Sequence, residues 1–140
     1  MVNLSICYQL LSSRLNKRLQ SLDITMTHLS ILSHFSHAPD QPITVTQLAA
    51  VMEMNQPGVT KAAKTMEEKG WLRRQKDEHD ARISQLYITK RGLKMLGQAQ
   101  QYVAGYVGQC FEDFSNNELK ALAAHLGRLK DRLNAEKVSE

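Results

Sequence analysis

A mainly helical fold carrying one small β-hairpin is what this sequence predicts, and three observations predict it. Apolar side chains recur at steps of three and four along most of the chain, the period of amphipathic helices. Ser, Thr or Asn stands at the head of several such stretches, where its oxygen can accept an orphan backbone N–H. Between Gly70 and Lys90 the helical period gives way to two short runs around the polar turn Asp77-Glu78-His79-Asp80-Ala81, which reads as a β-hairpin.

Leu4, Tyr8, Leu11, Leu15, Leu19 and Leu22 give the first helix its stripe, with Arg14, Lys17 and Arg18 opposite. Thr25 heads a second helix through Met26, Leu29, Leu32 and Phe35, which ends at the turn residues Pro39, Asp40 and Pro42. Thr44 and Gln47 then fit a capping box for a short third helix that buries Val45, Leu48, Ala49 and Met52. A tight turn around Glu53 and Met54 delivers the chain to Asn55, the N-cap of a fourth helix. Pro57 falls in its first turn, where a missing N–H costs nothing, and Gly70 ends it where a left-handed residue is wanted. Val59, Ala63 and Met66 line one side of this helix, and Gln56, Thr60, Lys61 and Lys64 line the other.

Two short helices joined by a tight turn make a helix-turn-helix, and Ala49, Ala62 and Ala63 let them cross closely. With the hairpin behind it, the module over residues 25–96 is a winged helix-turn-helix. The hairpin tip carries Arg82, with Asp80 near enough to orient the guanidinium, an arrangement suited to a narrow, electronegative minor groove. A solvated surface helix and a weak loop-tip ion pair would show the same residues singly. The inference rests on the pieces standing in order.

After the hairpin, Thr89 can cap a helix through Leu93, Leu96, Tyr102, Val103, Tyr106, Val107 and Phe111. Its Gly97, Gly105 and Gly108 lower helix propensity and permit either close approach or bending. Ser115 and Glu118 form another capping box, followed by a coiled-coil-like seam of Leu119, Leu122, Leu126, Leu129 and Leu133. The tail from about Glu136 is expected to be disordered. A winged core needs only the middle of the chain. Residues 1–24, with Leu4, Leu11 and Leu15, and residues 97–140, with the leucine seam, are therefore expected to form a helical dimerisation region.

A chain of 140 residues is long enough for one domain with a real core. No apolar run approaches membrane-spanning length and no export leader is legible, so a cytoplasmic protein with no membrane partner is expected. Cys7 and Cys110 show no metal spacing and read as buried thiols in a reducing compartment. The net charge is +4, and residues 43–96, with ten cations against six acids, carry all of that excess. Such a local field attracts phosphate. No nucleophile elbow, paired-carboxylate site, phosphate-binding glycine loop or metal motif is present, so neither an enzyme nor a cofactor is expected.

Several motifs together resemble the MarR family of bacterial transcriptional regulators. They are Thr46-Gln47-Leu48-Ala49, Gln56-Pro57-Gly58-Val59-Thr60-Lys61, Glu67-Glu68-Lys69-Gly70-Trp71-Leu72, Asp77 with Asp80-x-Arg82, and Ile88-Thr89-x-x-Gly92. The resemblance implies a homodimer whose recognition helices enter successive major grooves of a palindromic operator in double-stranded DNA. By that analogy Gln56, Pro57, Gly58, Thr60, Lys61 and Lys64 face bases and phosphates. Arg82, posed by Asp80, enters the minor groove, while Arg73, Arg74 and Lys76 hold the backbone on the wing side. It also implies a small-molecule effector, often aromatic or phenolic, that binds between dimer helices and winged domain and releases DNA.

Three alternatives stand beside this reading. Some members of the family sense hydroperoxides through an N-terminal cysteine, and Cys7 lies in that region. Met26 stands where those sensors supply a tyrosine, so a buried structural thiol is the better expectation. His28, His34 and His37 share one helix and its end without a matching Cys or Glu, and read as surface or capping residues rather than metal ligands. A winged helix that docks protein instead of DNA would favour acidic or apolar residues where Thr60, Lys61 and Lys64 stand.

Overall fold

The computed structural model describes residues 2–77, 80 and 82–136; Glu78, His79 and Ala81 of the expected turn and residues 137–140 of the expected disordered tail lie outside them. Helix α1 spans Val2–Leu19 and runs into one 3-10 turn, Gln20–Leu22. Helix α2 (Met26–Ser36), strand β1 (Ile43–Thr44), helix α3 (Val45–Val51) and helix α4 (Gln56–Glu68) follow. Strands β2 (Leu72–Lys76) and β3 (Ser84–Ile88) lead to helices α5 (Lys90–Cys110) and α6 (Asn116–Glu136). The chain divides into two compact units, one reaching to Val103 and the other beginning at Ala104.

Each expected cap forms. Thr25 Oγ1 accepts the His28 N–H at 3.2 Å, and His28 Nδ1 accepts the Thr25 N–H at 3.4 Å. Thr44 and Gln47 exchange the same pair of bonds at the head of α3, and Ser115 and Glu118 at the head of α6. Asn55 Oδ1 takes the Gly58 N–H at 2.7 Å. A Cβ on residue 58 would stand 2.8 Å from that oxygen, so glycine lets the cap close.

Helices α3 and α4 stop in the same way. At the end of α4, Gly70 (φ 70°) donates to the Glu67 carbonyl, and Trp71 donates to the Met66 carbonyl at 2.8 Å. These are the two bonds of a Schellman cap. At the end of α3, Glu53 (φ 50°) donates to the Ala50 carbonyl and Met54 to the Ala49 carbonyl. A glutamate thus holds the left-handed position that glycine holds in α4, at a backbone cost of about 1 kcal/mol.

The winged core gathers Leu19 and Ile24, the α2 face of Leu29, Ile31, Leu32 and Phe35, and Leu48 and Ala49 of α3. Val59, Ala62, Ala63 and Met66 of α4 join it, closed by Trp71, Leu72, Leu86, Ile88, Leu96 and Ala99. The sheet is antiparallel with order β1-β3-β2. Strand β1 is an addition to the expected hairpin. Ile43 pairs with Leu86 and Thr44 with Gln85, so the residues leading into α3 also pair with the outer edge of β3. The wing is fastened to α5 through Thr89, whose hydroxyl donates to the Gly70 carbonyl at 2.7 Å and accepts the Gly92 N–H at 3.0 Å. A Cβ on residue 92 would lie 2.2 Å from the Trp71 carbonyl oxygen, so only glycine fits there. Gly97, Gly105 and Gly108 have no described atom within 4 Å of where a Cβ would stand.

Among the residues expected at a dimer seam, Leu15 is buried, Leu4 is exposed and Leu11 half-buried. In α6, Leu119 and Leu122 are half-buried, while Leu126, Leu129 and Leu133 are exposed.

Candidate nucleic-acid interface

Helix α4 buries Val59, Ala62, Ala63 and Met66 and leaves Gln56, Pro57, Thr60, Lys61 and Lys64 exposed. The exposed side therefore holds an amide, a hydroxyl and two ammonium groups along its first turns, with no acid in the first turn. Two of these groups are already oriented. Gln56 Nε2 donates to Thr46 Oγ1 of α3 at 3.2 Å, and the Thr60 hydroxyl donates to the Gln56 carbonyl at 2.8 Å. Gly58 is half-buried beneath the Asn55 cap and contributes shape rather than a side chain.

The wing sorts its cations by the pleat. Arg73 pairs with Tyr87 and Gln75 with Gln85, while Arg74 pairs with Leu86 and Leu72 with Ile88. Alternation puts the first four residues on one face and the second four on the other. On the outer face the Arg73 guanidinium lies over the Tyr87 ring, 4.1 Å from its centroid, and donates to Gln75 Oε1 at 2.6 Å. On the inner face Arg74 forks onto the Glu67 carboxylate of α4, with Nη2 to Oε1 at 2.7 Å and Nε to Oε2 at 3.0 Å. That hydrogen-bonded pair raises the Arg74 pKa above its ordinary value. Expected to hold phosphate, Arg74 instead ties the wing to the recognition helix. Lys76 is exposed next to the tip.

At the tip, Asp80 Oδ1 accepts both the backbone N–H of Arg82 at 2.9 Å and its Nε–H at 3.2 Å. Asp77 supports Asp80 in turn: its Oδ1 accepts the Asp80 N–H at 3.1 Å and its Oδ2 the Gln85 Nε2 at 2.7 Å. The Arg82 side chain is 91% exposed, so its base is fixed and its end projects.

A model described as MarR family matches residues 22–83, the stretch that holds α2, the helix-turn-helix and the first wing strand. Over that stretch, a little under half of its length, the chain is similar to the MarR family. That family is one of transcription regulators, and the likeness of the winged-helix fold to solved structures extends well beyond the matched stretch. The chain is 27% identical to the transcriptional regulator BldR of Sulfolobus solfataricus, with a TM-score of 0.78 over 94% of this chain and 92% of that one. A MarR crystal structure superposes at TM-score 0.83 with 21% identity, covering 94% and 95% of the two chains. A mutant MarR of E. coli complexed with operator DNA superposes at 0.73 with 23% identity, over 90% and 89%.

Elsewhere in the chain, one pocket of about 560 Å³ lies at the C-terminal end of α4, lined by Leu22, Asp23, Trp71, Arg91, Lys94 and Met95 among others. Lys69, on its wall, pairs with the Asp23 carboxylate, donates to the Asp23 carbonyl, and stands 4.8 Å from the centroid of the Trp71 ring. Both cysteines are exposed, which corrects the expectation of buried thiols: the part of α1 that carries Cys7 has no buried side chain before Leu15. Of the three histidines, His28 is buried edge-on to Trp71, and His34 and His37 line a second groove with Phe35 and Val51. Among the described residues no group of three His, Cys, Asp or Glu side chains could hold a metal ion, and no helix is long and apolar enough to cross a membrane.

Proposed function

We propose that this chain is a cytoplasmic, ligand-responsive repressor that binds a palindromic operator in double-stranded DNA as a homodimer. The observation that carries the reading is the two-sided α4: a fully apolar inner side and an outer side of Gln56, Thr60, Lys61 and Lys64, flanked by an Arg82 held out on the wing. Such a helix can offer amide and hydroxyl groups to base edges while its lysines and Arg73 meet phosphate. The exposed leucines of α6 and the exposed apolar side chains at the start of α1 support a second copy of the chain as their cover. Two copies would set the recognition helices about 34 Å apart, one turn of DNA. The pocket beside Trp71 offers an aromatic wall and cationic rim to an effector. An effector there acts only by preferring one dimer geometry over the other.

The test is fluorescence anisotropy on a labelled palindromic duplex from upstream of the chain's own coding sequence, with a scrambled duplex beside it and salt varied. One dimer per native duplex, and weak, salt-sensitive binding to the scrambled one, is the expected result. Arg82→Ala should weaken the native complex about tenfold, since a minor-groove arginine is lost. Absence of binding to either duplex at low salt would end the DNA-reading proposal. Redox control through Cys7 is the second reading, favoured by the exposure of that thiol. Peroxide should then release DNA from the parent chain and not from Cys7→Ser.

A further inference from the structure

The bond from Gln56 to Thr46 changes what that glutamine can recognise. A free carboxamide offers two N–H donors and one carbonyl acceptor. Guanine presents two acceptors in the major groove, N7 and O6, whereas adenine presents an acceptor at N7 and a donor at N6. An untied glutamine can therefore lean either way, using its two donors on guanine or one donor and the acceptor on adenine. Here one Nε2 donor is engaged by Thr46 Oγ1 at 3.2 Å. The remaining donor and acceptor match adenine and leave one guanine acceptor unmet. Thr60, one turn along on the same side, cannot supply the missing donor, because its hydroxyl proton is directed to the Gln56 carbonyl at 2.8 Å.

We propose that Thr46, on the first helix of the helix-turn-helix, is a positioning residue that makes Gln56 a reader of adenine. The inference rests on the DNA-reading function proposed above. It adds that specificity at one base pair of each half-site is set by a residue on α3, outside the recognition helix. The Thr46 side chain is exposed and, among the described residues, bonds to Gln56 alone, so altering it leaves the fold intact.

The experiment enriches random duplexes on the purified full-length chain. It then measures affinity for the enriched sequence and for the same sequence with A·T replaced by G·C at each position. The parent chain should show one position per half-site where adenine is preferred about tenfold or more, and Gln56→Ala should erase that preference alone. Thr46→Val, which keeps the shape and removes the acceptor, should reduce it at least about threefold by gaining affinity for guanine. Thr46→Ser should restore it, and the salt dependence should be the same for all of these chains, because no phosphate contact changes. Full adenine preference in Thr46→Val, or a Gln56→Ala chain that still prefers adenine there, would overturn the assignment of Thr46 while leaving the DNA reader standing. Failure to enrich any duplex over bulk would overturn both.

Discussion

In the winged core Leu19, Leu32, Leu48 and Leu86 are fully buried, whereas Leu126, Leu129 and Leu133 of α6 remain 44%, 42% and 55% exposed. Both sets sit at regular spacing along amphipathic elements. The difference is what faces them. The core leucines belong to one buried cluster drawn from the end of α1, α2, α3, α4, the sheet and α5, while those of α6 show an apolar row that their own unit does not cover. Amphipathic spacing thus says which side of an element avoids water and leaves open which chain supplies the cover.

The largest effect should come from the core. Gly92→Val would drive a side chain into the Trp71 carbonyl and is expected to cost more than about 2 kcal/mol, read as a fall in the urea midpoint. Placing acids on the α6 row tests the other side of the comparison. Leu129→Glu with Leu133→Glu should leave the helical circular dichroism of the winged core intact and convert a dimer to a monomer in sedimentation. A double variant that stays dimeric would mean that these leucines are covered by something other than a second copy.

Within the core, His28 gives a pH signature that the α6 row lacks. Burial, with Lys69 nearby and Asp23 opposing, lowers its pKa below the ordinary 6.5. The unfolded chain then binds this proton more tightly than the folded one. Stability from the neutral ring is fully present above the ordinary value and declines as pH falls from there toward the folded value. Urea midpoints at about pH 7.5 and 5.5 should show a larger drop for the parent chain than for His28→Gln. The smallest effect concerns the helix-turn-helix bend. Glu53→Gly should relieve the left-handed glutamate and shift stability by no more than about 1 kcal/mol in either direction, since relief of the backbone is offset by a freer unfolded chain.

Local signals were the legible ones. The bonds at Thr25, Thr44, Asn55 and Ser115 each span three residues, so the capping residues mark the helix starts without knowledge of the fold. The wing strands declared themselves by their change of period. What escaped depends on contacts distant along the chain. Strand β1 is two residues long and exists only because β3 offers it an edge. The Thr46–Gln56 bond joins residues ten apart on different helices. The fate of Arg74 was within reach, since it shares strand parity with the buried Leu72 and so points inward, where Glu67 meets it. The exposure of Cys7 was not, because a helix with apolar residues on several sides gives no sign of which of them its own chain will cover.

Trp71 is the single tryptophan of the chain, and it stands where the end of α4, the His28 ring and the Lys69 ammonium converge. The molecule therefore carries its own optical reporter at the root of its recognition helix. Its emission should follow the imidazole as it gains a proton, and any loosening of the joint between α4 and the bend at Asp23, without a dye attached anywhere on the protein.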